Sequence, residues 1–573
     1  MKKIIFLLLL FFVLAQNILA FDFSRPNNKF GIHLAQPHLE DLRKAKEMIN
    51  ANGGDWGYVT LVVQDDDRNR QKWQEIFDLL REEHLIPIIR VATHSEGANW
   101  KRPVKEDAQS WADFLDSLHW VVKNRYVVLF NEPNHGSEWG GRVDAYNFAE
   151  TAKAFAEKLK AKNPDFFVML GAVDASAPSS MPNYLGEEYF LQNFFQKVST
   201  SDYEKLFDGL TSHSYPNPAF SGSPWDSGRG TVKSYEWELG LLGRLGVNKK
   251  LPVFITETGW SADRLSRDSI ASYFENAYQN AWLPDDRVVA VTPFVLDYQG
   301  DPFLNFSWKE YQSSEFYPQY YTVQSLQKTK GDPEQIDKGE LLVELPKELV
   351  ANSSYHFRVR LKNNGQAIWD NKENYKLQIT NDKSEIKTEQ FEYFFSDLKN
   401  IKPFEEAEID FYLKTNNPVF HYDRNEIQDT KLVLVKNGKN IIEKDWRFGI
   451  VALPSLKFKV NLFPKLSTEG EHFEIQLFDE KEELIFKRAG LRVVRGAGMI
   501  NDVQNIIPGK RYRIVIINPY YLPRQGFMVF KRGDNAVQFK KMVPFDLNQN
   551  GHMDWADLGV LIQNPELMRL LFP

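Results

Sequence analysis

Residues 126–134 read Tyr126-Val127-Val128-Leu129-Phe130-Asn131-Glu132-Pro133-Asn134, and residues 253–260 read Val253-Phe254-Ile255-Thr256-Glu257-Thr258-Gly259-Trp260. Each is a short apolar run rich in β-branched and aromatic residues, which reads as a buried strand, and each ends in a glutamate. Working outward, six more such runs lie at residues 30–35, 56–63, 86–92, 166–172, 209–213 and 288–296. Helical patterns separate them. Ala145, Phe148, Ala152, Phe155 and Leu159 recur every three or four residues and share one helix face, as do Ile270, Phe274, Ala277 and Ala281. Strands alternating with helices in this way predict an α/β fold, a (β/α)₈ TIM barrel over residues 24–330. A doubly wound open sheet fits less well, because no glycine-rich phosphate loop follows the first run.

The chain has 573 residues, more than one barrel needs. After Gly331-Asp332-Pro333 the pattern becomes alternating and β-rich, with turn signals at Asn363-Asn364-Gly365 and Asn437-Gly438. The expected organisation is multidomain: a β-sandwich at 339–453, a second β-rich module at 455–543 and a loop-helix tail at 544–573. Met1-Lys2-Lys3, the apolar run 4–15 and the small residue Ala20 form the pattern of a signal peptide over 1–20, so the mature protein is expected to be secreted or at the cell surface. Lys plus Arg number 70 against 77 Asp plus Glu, for a net charge of −7, which argues against a nucleic-acid partner. Cysteine is absent, which excludes disulfides, thiolate metal sites and a cysteine nucleophile.

Catalytic groups of a (β/α)₈ barrel stand at the C-terminal ends of its strands, where Glu132 and Glu257 fall. An isolated carboxylate closing an apolar strand is costly unless solvated, paired or functional. Two on one rim suggest a carboxylate pair, the equipment of a retaining glycosidase, which needs its carboxyls about 5–5.5 Å apart. Buried ion pairing is the bland alternative for both.

Asn131-Glu132-Pro133 and Glu257-Thr258-Gly259-Trp260 resemble the signatures of the retaining (β/α)₈ glycoside hydrolase clan that includes cellulases, mannanases and β-glycosidases. The resemblance implies Glu132 as acid/base, Glu257 as nucleophile and Asn131 as a ligand of the sugar 2-hydroxyl. His213-Ser214-Tyr215 is similar to the clan's His-x-Tyr, whose tyrosine orients the nucleophile, and Arg90 to the strand-three arginine that keeps it ionised. Trp260, following the nucleophile, is the expected sugar platform. The stretch 292–298 lacks the tryptophan that the clan often places after strand eight, and Trp308 is the nearest substitute. The implied activity is hydrolysis of a β-linked oligo- or polysaccharide by double displacement, without a cofactor. The alternatives are a catalytically silent carbohydrate-binding or cell-surface protein on the same barrel, and a transglycosylase.

Two resemblances concern the remainder. Lys362-Asn363-Asn364-Gly365, Trp369 and Trp446-Arg447-Phe448-Gly449 resemble bacterial immunoglobulin-like modules of the next-to-BRCA1 type. In the tail, Asp546, Asn548, Asn550, Asp554 and Asp557, with Gly551 at the turn and the carbonyl of His552, have the spacing of an EF-hand loop that would bind Ca²⁺. Ending in Asp, the loop is similar to the calcium repeat of dockerins, which implies a cohesin-type partner, although dockerins carry two repeats and this chain has one.

Overall fold

The computed structural model describes residues 21–381, 390–416 and 426–571; the segment 1–20, expected as a signal peptide, lies outside them. The chain divides into two compact units that meet between Ile336 and Asp337.

The first unit is the barrel. Its strands are β1 (Gly31–Leu34), β2 (Gly57–Gln64), β3 (Leu85–Ala92), β4 (Arg125–Leu129), β5 (Phe166–Leu170), β6 (Leu210–His213), β7 (Val253–Glu257) and β8 (Val288–Val291). Strands β1 to β5 form one parallel sheet and β6 to β8 another. Parallel bridges close both seams, Met169 to Gly209 between β5 and β6, and Phe30 to Val291 beside β1 and β8. The helices between them start where the sequence supplies a cap. Asn69, Asp144, Ser199 and Ser266 each accept a backbone N–H of the first turn of Arg70–Glu82, Ala145–Lys162, Thr200–Leu206 and Arg267–Ala277.

The interior is filled from below by rings. Phe254 of β7 meets Tyr126 of β4 at 5.3 Å, Phe167 of β5 at 5.6 Å and Tyr58 of β2 at 6.4 Å between centroids. Arg90, Glu132 and Glu257 stand above this packed floor, toward the strands' C-terminal ends. Above it, Gly171 follows β5, and a Cβ there would stand 2.7 Å from the carbonyl oxygens of Leu129 and Phe130. Glycine lets the end of β4 turn at this point, where Phe130 has φ 71° and Glu132 φ 28°.

Among its described residues the second unit is β-rich up to its tail, with one short 3₁₀ helix at Asn371–Glu373. One sheet orders Gly339–Leu342, Ser354–Asn363, Glu406–Thr415 and Phe391–Phe395; another orders Glu348–Val350, Lys439–Val451, Glu426–Lys436 and Tyr375–Thr380. Beyond residue 454 come a three-stranded and a five-stranded sheet. The sequence reading treats 339–453 and 455–543 as separate modules, yet buried residues of both, from Leu341 to Met542, form one continuous core. Ser354 N–H donates to Asn505 Oδ1 at 2.9 Å, and Tyr355 O–H to the Ile506 carbonyl at 3.1 Å, tying the two stretches together. The tail ends in two short helices, Trp555–Gln563 and Leu567–Leu571.

Candidate active site

The barrel rim opens into a cleft of about 410 Å³ whose lining includes Arg90, Asn131, Glu132, Tyr215 and Glu257. Strand alternation alone would not put Glu257 there. Phe254 points into the barrel, so a residue three positions on would face outward. The register between β6 and β7 shifts at this point: Ser212 faces Ile255, but His213 faces Glu257, leaving Thr256 unmatched. The bulge turns Glu257 back toward the axis. Thr258 Oγ1 then donates to the Ser214 carbonyl at 2.7 Å and binds the two strand ends together.

Glu257 is 7% exposed and closely surrounded. Arg90 Nη1 donates to its Oε1 at 2.5 Å and to Asn131 Oδ1 at 2.7 Å, so one guanidinium nitrogen fixes both. Tyr215 O–H donates to Oε2 at 3.1 Å, and His33 Nε2 lies 3.7 Å from Oε1. Burial by itself would raise the Glu257 carboxyl, but His213, Arg90, His33 and the Tyr215 hydrogen bond together lower it to about 2. Glu257 is therefore a carboxylate at any ordinary pH. Burial and the same carboxylate push the Tyr215 phenol well above its ordinary value, so it remains a donor.

Glu132 stands three residues past β4 on the strained turn. His213 Nδ1 lies 2.8 Å from Glu132 Oε1 and 3.7 Å from Glu257 Oε2, so these two carboxylate oxygens are within 6.5 Å of each other through one shared nitrogen. Burial opposes a charge on His213, but the two carboxylates outweigh it and raise the imidazole above its ordinary value. Two non-glycine residues with positive φ in three positions, Phe130 and Glu132, cost of order 1–3 kcal/mol each, strain of the kind that clusters at functional sites.

Trp260 and Trp308 require a correction. The Trp260 ring is 2% exposed, donates through Nε1 to the Gly222 carbonyl at 2.8 Å and packs edge-on against Phe274 at 4.8 Å. Trp308 is 1% exposed, against the same phenylalanine at 4.8 Å. Neither offers a free face to a sugar, because the helix Arg267–Ala277 takes both rings into the outer core. Phe294, in the tryptophan-free stretch after β8, lines the cleft instead, with Phe303, Phe306, Phe220 and Trp100.

The cleft and its surroundings also hold titratable groups that the motifs do not flag. Glu138 lines it, and burial followed by the nearby Glu132 charge raises its carboxyl to about 7. Burial and Arg90 lower His33 to about 3, so it is neutral. His135 and Asp174 pair at 2.9 Å across two loops. Their one sequence signal is position: His135 lies three residues after Glu132, and Asp174 four after β5.

In the tail, the acidic side chains bind backbone amides of their own loop. Asp546 accepts from Gly551 N–H at 3.1 Å, and Asp557 from Leu547 and Asn548 N–H at 2.8 and 3.0 Å. Asn548 accepts from Asn550 N–H, and Asn550 from His552 N–H. Asp554 is exposed and caps the following helix through Ala556 N–H at 2.8 Å. Burial, and then the Asp557 charge, raise the Asp546 carboxyl, a repulsion that a cation would relieve. Among the described residues no three His, Cys, Asp or Glu side chains converge as a metal site. The oxygen-only donor set fits Ca²⁺ in kind, and its acidic members do not converge.

No family model matches the chain, and no curated protein matches it. Solved structures similar to part of it include a family 39 glycoside hydrolase from the gut symbiont Bacteroides cellulosilyticus WH2, 14% identical, covering 69% of this chain and 82% of that one at a TM-score of 0.38. An endo-β-1,4-glucanase from Xanthomonas axonopodis pv. citri is 10% identical and covers 52% and 97% at 0.35. A family 51 α-L-arabinofuranosidase from Bifidobacterium longum is 10% identical and covers 66% and 89% at 0.36. Likeness this loose assigns neither activity nor substrate, which have to come from the site itself.

Proposed function

We propose that the barrel is a retaining glycoside hydrolase acting on a β-linked oligo- or polysaccharide. The observation that carries this is the carboxylate pair bridged by His213. Glu257 is held ionised by Arg90 and Tyr215, and Glu132 lies close by, where among the described residues it pairs with His213 and His135 and with no Lys or Arg. The bound of 6.5 Å between their facing oxygens leaves room for the about 5–5.5 Å carboxyl spacing of a retaining enzyme.

In the first step Glu257 attacks the anomeric carbon. Its bond to that carbon forms as the glycosidic C–O bond breaks, and the proton of Glu132 passes to the departing oxygen. In the second step Glu132, now a carboxylate, takes a proton from water, whose oxygen attacks the same carbon and releases Glu257. Arg90 and Tyr215 stabilise Glu257 as a leaving group as well as a nucleophile. Phe294 and the neighbouring rings supply an apolar wall for sugar C–H faces. The double displacement uses no cofactor. The N-terminal pattern supports reading it as an exported enzyme, and one structural Ca²⁺ in the tail would need Asp546, Asn548, Asn550, Asp554, Asp557 and the His552 carbonyl to close around it.

The test is turnover of an aryl β-glycoside panel by wild type and Glu257→Gln, with the product anomer read by NMR. The expected result is retained configuration and a loss of several orders of magnitude in the variant. An inverted product, or a variant within tenfold of wild type, would overturn the assignment.

A further inference from the structure

We propose that Asp174 and His135 form a positioning dyad for Glu132, a second imidazole that complements this carboxyl in both protonation states; the inference rests on the glycosidase reading above.

The geometry is specific. His135 Nε2 lies 2.9 Å from Asp174 Oδ2, and its Nδ1 lies 3.5 Å from Glu132 Oε2. The other Glu132 oxygen belongs to His213. The loops carrying the dyad are locked together by the buried Asn134. Its Oδ1 accepts Asp174 N–H at 3.0 Å, and its Nδ2 donates to the Asp174 carbonyl at 3.0 Å. Ser176 N–H holds the remaining Asp174 oxygen, Oδ1, at 2.8 Å. His135 N–H donates to the Glu132 carbonyl at 2.8 Å, and the ring stands edge-on to Tyr184 at 4.9 Å.

A carboxylate on Nε2 fixes the tautomer: Nε2 carries hydrogen, and Nδ1 faces Glu132. Neutral, that nitrogen can accept the Glu132 O–H; charged, it can donate to the Glu132 carboxylate. Both states of Glu132 are needed, since it is an acid in the first step and a base in the second. His213 cannot serve Glu132 alone, because it also faces Glu257. The charges around His135 are Glu132 and Glu138 from its own segment and Asp174 from the loop after β5. Burial opposes protonation of the ring, but the three together raise it above its ordinary value.

The test uses Asp174→Asn and His135→Gln in the full chain. The first readout is independent of catalysis: histidine NMR titration, with the His135 signal assigned by its loss in His135→Gln. Asp174→Asn should lower the His135 midpoint by about one pH unit or more. The second is the pH profile of kcat/KM. For a glycoside with a poor leaving group, both variants should move the basic limb upward by about one unit, because a positive charge beside Glu132 is lost. An activated aryl glycoside, whose departure needs less protonation, should lose less in the first step than the glycoside with a poor leaving group. The double variant should match His135→Gln alone, since Asp174 acts through the ring. A His135 midpoint that ignores Asp174→Asn, or limbs unmoved in variants with wild-type circular dichroism, overturns the dyad. Absence of any glycosidase activity in wild type would sink the underlying reading, while the titration would still decide whether the dyad exists.

Discussion

Arg90→Met tests the electrostatics of the cleft most directly. Methionine keeps an unbranched apolar stem and removes the guanidinium from its place 2.5 Å from Glu257. The Glu257 carboxyl lies at about 2, against an ordinary 4.5, and that difference corresponds to about 3 kcal/mol favouring the charged form. His213, Arg90, His33 and Tyr215 supply it jointly against burial. Losing an opposite charge this close should raise the carboxyl by at least about one unit, and burial would then act with less opposition. The sign follows from linkage. A depressed carboxyl contributes stability above its unfolded value and loses it as pH falls toward its folded value. In Arg90→Met the folded value moves up toward the unfolded one, so the loss still begins at the unfolded value but is smaller and is complete at a higher pH, and the acid limb of kcat/KM should rise into the range of about pH 3–5. At neutral pH the carboxylate left without its cation should cost about 3 kcal/mol of stability. The assay is kcat/KM on an aryl glycoside across the pH range, with thermal melting at each pH. An acid limb and melting curve that coincide with wild type would refute the claim that Arg90 keeps the nucleophile ionised.

Three further outcomes are expected. Glu132→Ala should slow substrates with poor leaving groups far more than activated aryl glycosides, and azide should restore turnover by occupying the vacated space; equal losses on both substrates would remove Glu132 from the acid role. Glu187, on the helix Glu187–Phe194, is raised to about 7, first by burial, so its stabilising protonated form is complete below about 4.5 and lost as pH rises through 7. Glu187→Gln keeps an oxygen for the Trp237 Nε1–H now 2.9 Å away, and should raise stability above pH 7 by up to about 3 kcal/mol; a melting temperature with the wild-type pH dependence would contradict this. Chelation should loosen the segment after Val543 without touching barrel activity, and limited proteolysis that ignores both Ca²⁺ and chelator would remove the calcium assignment.

The barrel strands were legible because each signal is local. A buried parallel strand is a short apolar run whatever its partners, and the eight runs read from the sequence overlap β1 to β8. Glu132 and Glu257 were legible because a charge closing such a run is conspicuous. Trp260 misled for the converse reason. Its position after Glu257 predicts exposure on the rim, but the backbone at Gly259, with φ 151°, and the helix Arg267–Ala277 decide which way the ring goes, and they carry it under Phe274. The single core of the second unit was likewise invisible, since turn signals mark where strands end and say nothing about which sheets share a buried face.

His135 and Asp174 stayed hidden for a different reason: what joins them is a loop contact between elements 39 residues apart. Neither residue closes an apolar run, and a histidine three positions after a glutamate is unremarkable on any helix or turn. Their relation exists only because Asn134, fully buried, spends both ends of its amide on the backbone of Asp174. That clamp also holds the end of the strained β4 turn on which Glu132 sits. Removing it should therefore relax Glu132 and separate the dyad in one stroke, an effect that no reading of either loop alone could anticipate. Asn134→Ala leaves buried backbone polar groups unpaired, which costs about 1–3 kcal/mol each, so it should lower stability as well as turnover. Asp174→Asn keeps those backbone bonds, so it should shift the pH profile with a smaller loss of stability than Asn134→Ala. The contrast between these two variants separates the scaffold of the site from its electrostatics.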